Sequence, residues 1–317
     1  MILIQTKKDD FTSSLVAQWL CCNDKDFVRI NDVSLIRNFR LKNNQLLFEI
    51  NERTINIFDL KHYWYRRGSF SLNEKSGVKT GKINRGFENY NKGEDATLIQ
   101  ILNSYLLNVK SIGNYTTSKI NKILVCDLAM QIGFKVPKYL ITNNKDDLLD
   151  FFNEHLKIIT KSLYGLPGFS SEEKYFVAKT HVVTLNDIEK SGFKFRSSLF
   201  QEYIEKRIEI RTFFLNEEFY SSAIFSQNDE KTKIDFRNYN RSKPNRVVPY
   251  KLPDKIIEQL RTINNKLNLN SGSYDLILTP QNEYYLLEVN PIGQFAQISL
   301  PCNYYIERKV AREISDE

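Results

Sequence analysis

Near the end of the chain, Asp275, Glu288 and Asn290 lie in two short apolar stretches, residues 273–277 and 284–290, with Gln281-Asn282 between them as a hairpin turn. Apart from the Asn290 amide nitrogen, these side chains offer only hard oxygen atoms. That donor set suits Mg²⁺, which keeps waters and nucleotide phosphates in its shell. Glu288 and Asn290 are two residues apart, so on a strand both side chains leave the same face. Asp275 joins them only in the right strand register. A purely structural reading competes: Glu288 marks a half-exposed strand, and Asn290-Pro291 begins a turn.

Other charged positions stand where an anion could be met. Lys161 closes the apolar run 157–161 and leads into the small-residue loop Ser162 to Ser171, where Gly165 and Gly168 permit close backbone approach. The spacing differs from that of a P-loop, and an ordinary turn has the same composition. In residues 199–211, an extended backbone at Glu202-Tyr203-Ile204 could offer a purine a carbonyl and an N–H. Glu209 could then accept ribose hydroxyls and Arg211 could meet phosphates; a charged edge strand is the alternative. Arg237, within residues 235–239, adds a guanidinium. Arg66-Arg67 follow Tyr63-Trp64-Tyr65 and either grip an anion or build a cation–π cluster. Asp187 and Glu189 could hold a basic residue of a peptide partner, or simply face solvent.

These residues need a frame. The 317 residues, 41% hydrophobic and 13% aromatic, suffice for two or three lobes with a substantial core. Residues 1–5 and 26–30 read as strands around a helix over 11–22 capped by Asp10, with a hairpin at 46–58 turning across 51–53. Residues 69–94, rich in Gly, Asn, Lys and Ser, read as a loop, and the spacing predicts a helix over 95–109. Further helices are expected at 119–131, 146–156, 185–190, 253–267 and 304–314, with an edge strand around Pro137 and a hairpin of 211–215 with 219–225.

No apolar run reaches the ~20 residues of a membrane span, so a cytoplasmic protein is expected. Cys21, Cys22, Cys126 and Cys302 show no CxxC spacing, and His62, His155 and His181 are scattered, which speaks against a disulfide framework or a zinc site. The net charge of +7 suits an anionic partner or simply a solvated surface.

Four stretches together resemble the ATP-grasp ligases over roughly residues 111–300: Lys122 before a helix and Val136-Pro137, Lys161 with its small-residue loop, Gln201-Glu202-Tyr203-Ile204 followed by Glu209 and Arg211, and Asp275 followed by Leu287-Glu288-Val289-Asn290-Pro291. The resemblance implies an α/β (α+β) ATP-grasp fold, with an N-terminal α/β lobe at 1–110, a central lobe at 111–204 and a C-terminal lobe with the metal site at 205–317. ATP would lie between two sheets. It further implies that Lys122 and Lys161 meet nucleotide phosphates, Glu202, Tyr203 and Ile204 meet adenine, Glu209 meets ribose, and Arg211 steadies the γ-phosphate and an acyl phosphate. Asp275, Glu288 and Asn290 would bind two Mg²⁺ ions. The loop after Lys161 has fewer glycines than the family pattern.

Tyr63-Trp64-Tyr65-Arg66-Arg67, Val248-Pro249-Tyr250-Lys251-Leu252-Pro253 and Glu288-Val289-Asn290-Pro291-Ile292-Gly293-Gln294-Phe295 resemble a narrower group, the grasp-with-spasm maturases related to microviridin ligases. That resemblance implies an enzyme that activates Asp or Glu side chains of a ribosomal precursor peptide and joins them to Ser/Thr hydroxyls or a Lys amine. The products are the macrolactones and macrolactams of graspetides. Arg237 would hold the substrate carboxylate, and Asp187 and Glu189 the leader peptide. Expected partners are a precursor with an acidic, Thr-rich core and a second copy in a homodimer, with no nucleic acid and no membrane. Two other functions stand beside this one: another ATP-grasp carboxylate–amine ligase, or a non-catalytic nucleotide- or nucleic-acid-binding module.

Overall fold

The first apolar run, Ile2–Gln5, is buried throughout because parallel strands flank it on both sides, Phe27–Ile30 and His62–Tyr65. Ser111–Ile112 extends this sheet beyond His62–Tyr65. The helix Phe11–Cys22 joins the first two strands, and Asp10 caps it by accepting the Ser13 N–H at 2.7 Å. A second sheet, ordered Arg53–Asn56, Gln45–Ile50, Leu35–Lys42, Ser71–Leu72, shares a core with the first through Leu3, Tyr63, Phe48 and Phe70. Its hairpin turns on two residues, Asn51 and Glu52, both at positive φ, where three were expected. Phe58 falls in a short 3-10 turn instead of a strand.

This computed structural model describes the chain except for residues 33, 44, 73–83, 164–167, 171–174, 178–179, 228, 230–231, 235–241, 243 and 316–317; of residues 84–85, 168–170 and 175–177 only the backbone is described. The helix expected over 95–109 begins earlier, at Asn84, and spans Asn84–Leu106. Its first turns are polar, so they carry no apolar stripe to mark them.

Two larger antiparallel sheets follow, besides the two-stranded pair of Gly168–Ser170 with Tyr175–Val177. The smaller is ordered His181–Val183, Ile158–Lys161, Lys194–Glu202, Tyr139–Asn144. Its last strand is the expected edge, two residues past Pro137. Lys145–His155 and Leu185–Lys190 cover one face through a core of Leu148, Ile158, Val183, Ile188 and Phe200. The larger sheet is ordered Arg246–Tyr250, Glu218–Phe225, Ile208–Leu215, Ser271–Leu278, Tyr284–Asn290.

One face of the larger sheet is mostly apolar, interrupted by Thr212 and Ser221, whose hydroxyls bond each other: Ile210, Phe214, Tyr274, Leu276, Leu286 and Val289 pack with Val125 and Ala129 of the helix Lys122–Gln131 and Leu260 and Ile263 of Asp254–Leu267. The other face is divided. Phe213 and Leu215 pack against Ile2, Ile4 and Trp64 of the N-terminal sheet and Val310 of the helix Ile306–Glu313. Toward the opposite end of the same strand, this face carries Glu209 and Arg211. A helix not foreseen, Ala296–Cys302, contains Pro301 and precedes the final one.

The loop after Tyr284–Asn290 returns tightly over the sheet. A Cβ on Gly293 would stand 2.5 Å from the Ser273 backbone nitrogen, closer than any side chain permits, so only glycine fits. Gly293→Ala is expected to destabilise the protein by about 1–3 kcal/mol through overpacking, measured as a lowered urea midpoint; an unchanged midpoint would mean that this loop does not need the close approach.

Candidate active site

The polar half of the larger sheet is built by strand register. Arg211 pairs with Asp275, and Asp275 pairs with Glu288, so three charged side chains stand side by side across three strands. The ladder then slips: Leu276 pairs with Leu286, which leaves Leu287 as an extra, bulged residue. The bulge lets Leu287 and Glu288 both line the same cleft, whereas regular alternation would turn one of them away.

Two adjacent carboxylates repel each other, and each has its own cation. Arg211 donates from Nη1 to Asp275 Oδ1 at 2.8 Å. Lys122, the first residue of its helix, reaches around the edge strand and donates from Nζ to Glu288 Oε2 at 2.6 Å. The cap at Asn121, whose Oδ1 accepts the Ile123 N–H at 3.0 Å, sets where that helix starts and hence where Lys122 points. Burial pushes the Cys126 thiol up, with Lys161 and Lys122 opposing and Asp127 and Glu288 adding to the rise.

A cleft of about 700 Å³ lies between the smaller and larger sheets. It is lined by Pro137, Lys161, Glu202, Tyr203, Ile204, Glu209, Asp275 and Glu288, so each of the four stretches of the sequence pattern contributes, the first through Pro137 and not Lys122. Lys161 and Ile159 face the cleft from one strand, while Thr160 between them turns away and bonds the Leu199 carbonyl. The segment after Glu202 is anchored on both sides: Glu202 N–H donates to the Lys138 carbonyl at 2.9 Å and Tyr203 N–H to the Lys157 carbonyl at 3.0 Å. The Lys157 ammonium also sits 3.7 Å from the centre of the Tyr203 ring.

Lys206 is a cleft residue that the sequence reading passed over. Its Nζ is buried and donates to Glu209 Oε1 at 2.7 Å and to the Ile234 carbonyl at 3.0 Å. Ser226 donates to the same Glu209 oxygen at 2.7 Å. Glu209 therefore faces the cleft with one oxygen already committed, and Lys206 offsets its charge.

Asn290 sits apart from this group. Its Oδ1 accepts the Ile292 N–H at 3.0 Å, and the residue lines a neighbouring cleft instead. Among the described residues no group of three or more His, Cys, Asp and Glu could hold a metal ion. Asp275 and Glu288 nevertheless fit Mg²⁺ in the form it takes with nucleotides, where one or two carboxylates share it with phosphates and waters. Arg237 and, of the loop expected after Lys161, residues 164–167 and 171 lie outside the described residues, while Gly168–Ser170 is a strand paired antiparallel with Tyr175–Val177 instead of loop. Asp187 is exposed, and the Thr184 hydroxyl and N–H hold its carboxyl below the usual carboxylate range while capping Leu185–Lys190. Glu189 is exposed on the same helix. Arg66 and Arg67 do not build the expected cation–π cluster: both turn to the buried Asp10 carboxylate, at 3.3 and 3.1 Å.

Removing one partner of a buried ion pair strands the other charge, so Lys206→Met is expected to cost about 3–5 kcal/mol in urea unfolding. Glu209→Gln combined with Lys206→Met should cost less than the two single losses summed. Strict additivity would show that the two groups do not depend on each other.

No family model matches the sequence, and no curated relative matches it. Solved structures do. The macrocyclase MdnC from Microcystis aeruginosa MRC, bound with the precursor peptide MdnA, aligns over 100% of both chains at 23% identity with a TM-score of 0.81. A RiPP-associated ATP-grasp ligase from Chryseobacterium gregarium, in complex with ADP and a leader and core peptide, aligns over 99% of this chain and 95% of its own at 24% identity and a TM-score of 0.82. The D-alanyl-alanine synthetase A of Vibrio cholerae O1 aligns over 99% of this chain and 97% of its own, at 16% identity and a TM-score of 0.57. With two sheets enclosing one charged cleft and these likenesses running the length of the molecule, the chain has the ATP-grasp fold.

Proposed function

We propose that this protein is an ATP-dependent peptide cyclase of the graspetide type, which joins Asp or Glu side chains of a ribosomal precursor peptide to Ser/Thr hydroxyls or a Lys amine. The observation that carries the reading is the single cleft in which Lys161, the 202–204 segment, Glu209, Asp275 and Glu288 converge. The macrocyclases with similar structures, bound to precursor, leader or core peptides, support the peptide as substrate class.

A carboxylate oxygen is a poor leaving group, and ATP overcomes this. In the first step a substrate carboxylate oxygen attacks the γ-phosphorus, the bond to ADP breaks, and an acyl phosphate forms. A hydroxyl or amine then attacks the acyl carbon and loses its proton as phosphate departs. The peptide thus loses one water per ring while ATP becomes ADP and phosphate. Charge builds on the phosphate oxygens in both steps, and preorganised cations offset it without reorganisation. We assign this to Lys161, Lys122 and Arg211; Asp275 and Glu288, paired here with Arg211 and Lys122, are the residues that would hold Mg²⁺. Mg²⁺ supplies charge neutralisation on the nucleotide phosphates. Glu202, Tyr203 and Ile204 border adenine and Glu209 the ribose, with Lys206 holding Glu209 in place.

Arg237 remains our assignment for the substrate carboxylate, Asn290 for a second metal position, and Asp187 with Glu189 for a basic residue of the leader. Two Mg²⁺ ions, a homodimer and the lobe boundaries at 110 and 204 belong to the same proposal. Among the described residues no helix is long and apolar enough to cross a membrane.

Purified protein with ATP, Mg²⁺ and its cognate precursor should yield peptide lighter by one water per ring, read by mass spectrometry. Unchanged peptide mass despite ATP turnover would contradict cyclisation, and a gain in mass with free amino acids would favour the tail-adding ligase instead. Glu288→Gln should reduce the rate by about 10²-fold or more; full activity would remove Glu288 from the metal site.

A further inference from the structure

Ile292, just past the strand Tyr284–Asn290, is held at three points. Its N–H donates to Asn290 Oδ1 at 3.0 Å, and its carbonyl accepts from Arg66 Nη1 at 2.7 Å. Its side chain packs on the N-terminal core that contains Tyr63, Tyr65 and Phe70. The next residue, Gly293, presses on the backbone of Ser273, which lies on the strand of Asp275. The turn that follows Asn290 is thus pinned to Arg66 on one side and to the Asp275 strand on the other. Arg66 is itself fixed. Its side chain is 3% exposed, its backbone N–H donates to the Gln5 carbonyl at 2.8 Å, and its Nη2 lies 3.3 Å from the buried Asp10 carboxylate.

A guanidinium presents its donors in a rigid fork, so with one nitrogen on Asp10 and another on Ile292 it sets the place of the Ile292 carbonyl. An amide oxygen has two lone pairs, so Asn290 Oδ1 can accept the Ile292 N–H and still meet a cation. Mg²⁺ demands near-ideal octahedral geometry, which makes the placing of each oxygen count. We propose that Arg66 is a positioning residue for the metal end of the active site: Arg66 holds Ile292, and Ile292 holds the Asn290 amide oxygen. Metal affinity then depends on a side chain that touches neither metal nor nucleotide and stands 226 residues of chain away from Ile292. The inference rests on the ligase reading and its assignment of Asn290 to a metal position, and adds to them a control exerted from the N-terminal sheet.

The test uses the full chain with ADP and Mn²⁺, the free metal being followed by electron paramagnetic resonance. Arg66→Lys keeps the charge but cannot reach Asp10 and the Ile292 carbonyl together. Arg66→Met combined with Asp10→Asn removes both buried charges, so neither is stranded, and asparagine still caps the helix that starts at Phe11. Both should weaken ADP-dependent Mn²⁺ binding by about tenfold or more, the usual cost of losing a group that orients a metal ligand. Fluorescent ADP without metal should bind both as it binds the wild type, which also reports that they are folded. Asn290→Ala should weaken Mn²⁺ binding to a similar degree, and adding Arg66→Lys to it should bring no further loss, because the effect passes through Asn290. Mn²⁺ binding unchanged by the Arg66 variants or by Asn290→Ala would overturn the assignment. So would losses that simply add, or loss of ADP binding along with Mn²⁺ binding in Arg66→Lys, either of which marks a general structural role. Absence of ADP-dependent Mn²⁺ binding in the wild type would count instead against the ligase reading.

Discussion

Asp275 and Glu288 face each other directly across neighbouring strands, an arrangement that is unfavourable for like charges. The surrounding structure answers that repulsion. Arg211 comes from the strand on one side of Asp275, and Lys122 from a helix packed on the opposite face, reaching around the edge to Glu288. The positions of that helix, its Asn121 cap and the bulge at Leu287 are all needed for this local balance. Asp275 and Glu288 would hold a divalent cation, and Lys122 and Arg211 would offset the charge of the phosphates that accompany it.

A second charged knot ties the N-terminal sheet to the loop after Asn290. Arg66 is buried, and burial lowers its guanidinium pKa to about 10 even beside Asp10. Its Nη1 donates to the Ile292 carbonyl at 2.7 Å, across 226 residues of chain. Asp10 also caps the helix Phe11–Cys22, so one carboxylate ties that helix to the strand His62–Tyr65 and, through Arg66, to the loop that follows Asn290. Apolar contact between Phe213, Phe295, Ile4 and Val310 supplies the nondirectional part of the same junction. Arg67, at the side of this knot, is anchored on Asp10 and still partly exposed.

Much of the architecture was legible because it followed from periodicity. Asp10 marked the start of the helix Phe11–Cys22 and the helix 185–190 matches its expected bounds, whereas the helix expected from residue 119 begins at Lys122 behind the Asn121 cap and the strand expected around Pro137 begins at Tyr139. The sequence pattern also singled out Lys161, Glu202, Tyr203, Ile204, Glu209, Asp275 and Glu288, which the fold gathers around one cleft. What escaped is what periodicity does not encode. Period two cannot reveal the bulge at Leu287, and it puts Asn290 on the face of Glu288 without showing that its side chain turns to the Ile292 N–H. Lys206 was hidden in a run of alternating charges, where spacing does not say which pair is buried. Arg66 and Arg67 followed three aromatic residues in sequence, but their partner, Asp10, lies more than fifty residues earlier.

If Asp275 and Glu288 hold the metal of a bound nucleotide, metal binding must depend both on the nucleotide and on these two carboxylates. Titration of Mn²⁺, standing in for Mg²⁺, into protein with ADP, followed by electron paramagnetic resonance, tests it directly. The account predicts ADP-dependent Mn²⁺ binding by the wild type and its loss when Asp275→Asn and Glu288→Gln are combined; Mn²⁺ binding with ADP that is unchanged in the double variant would contradict it.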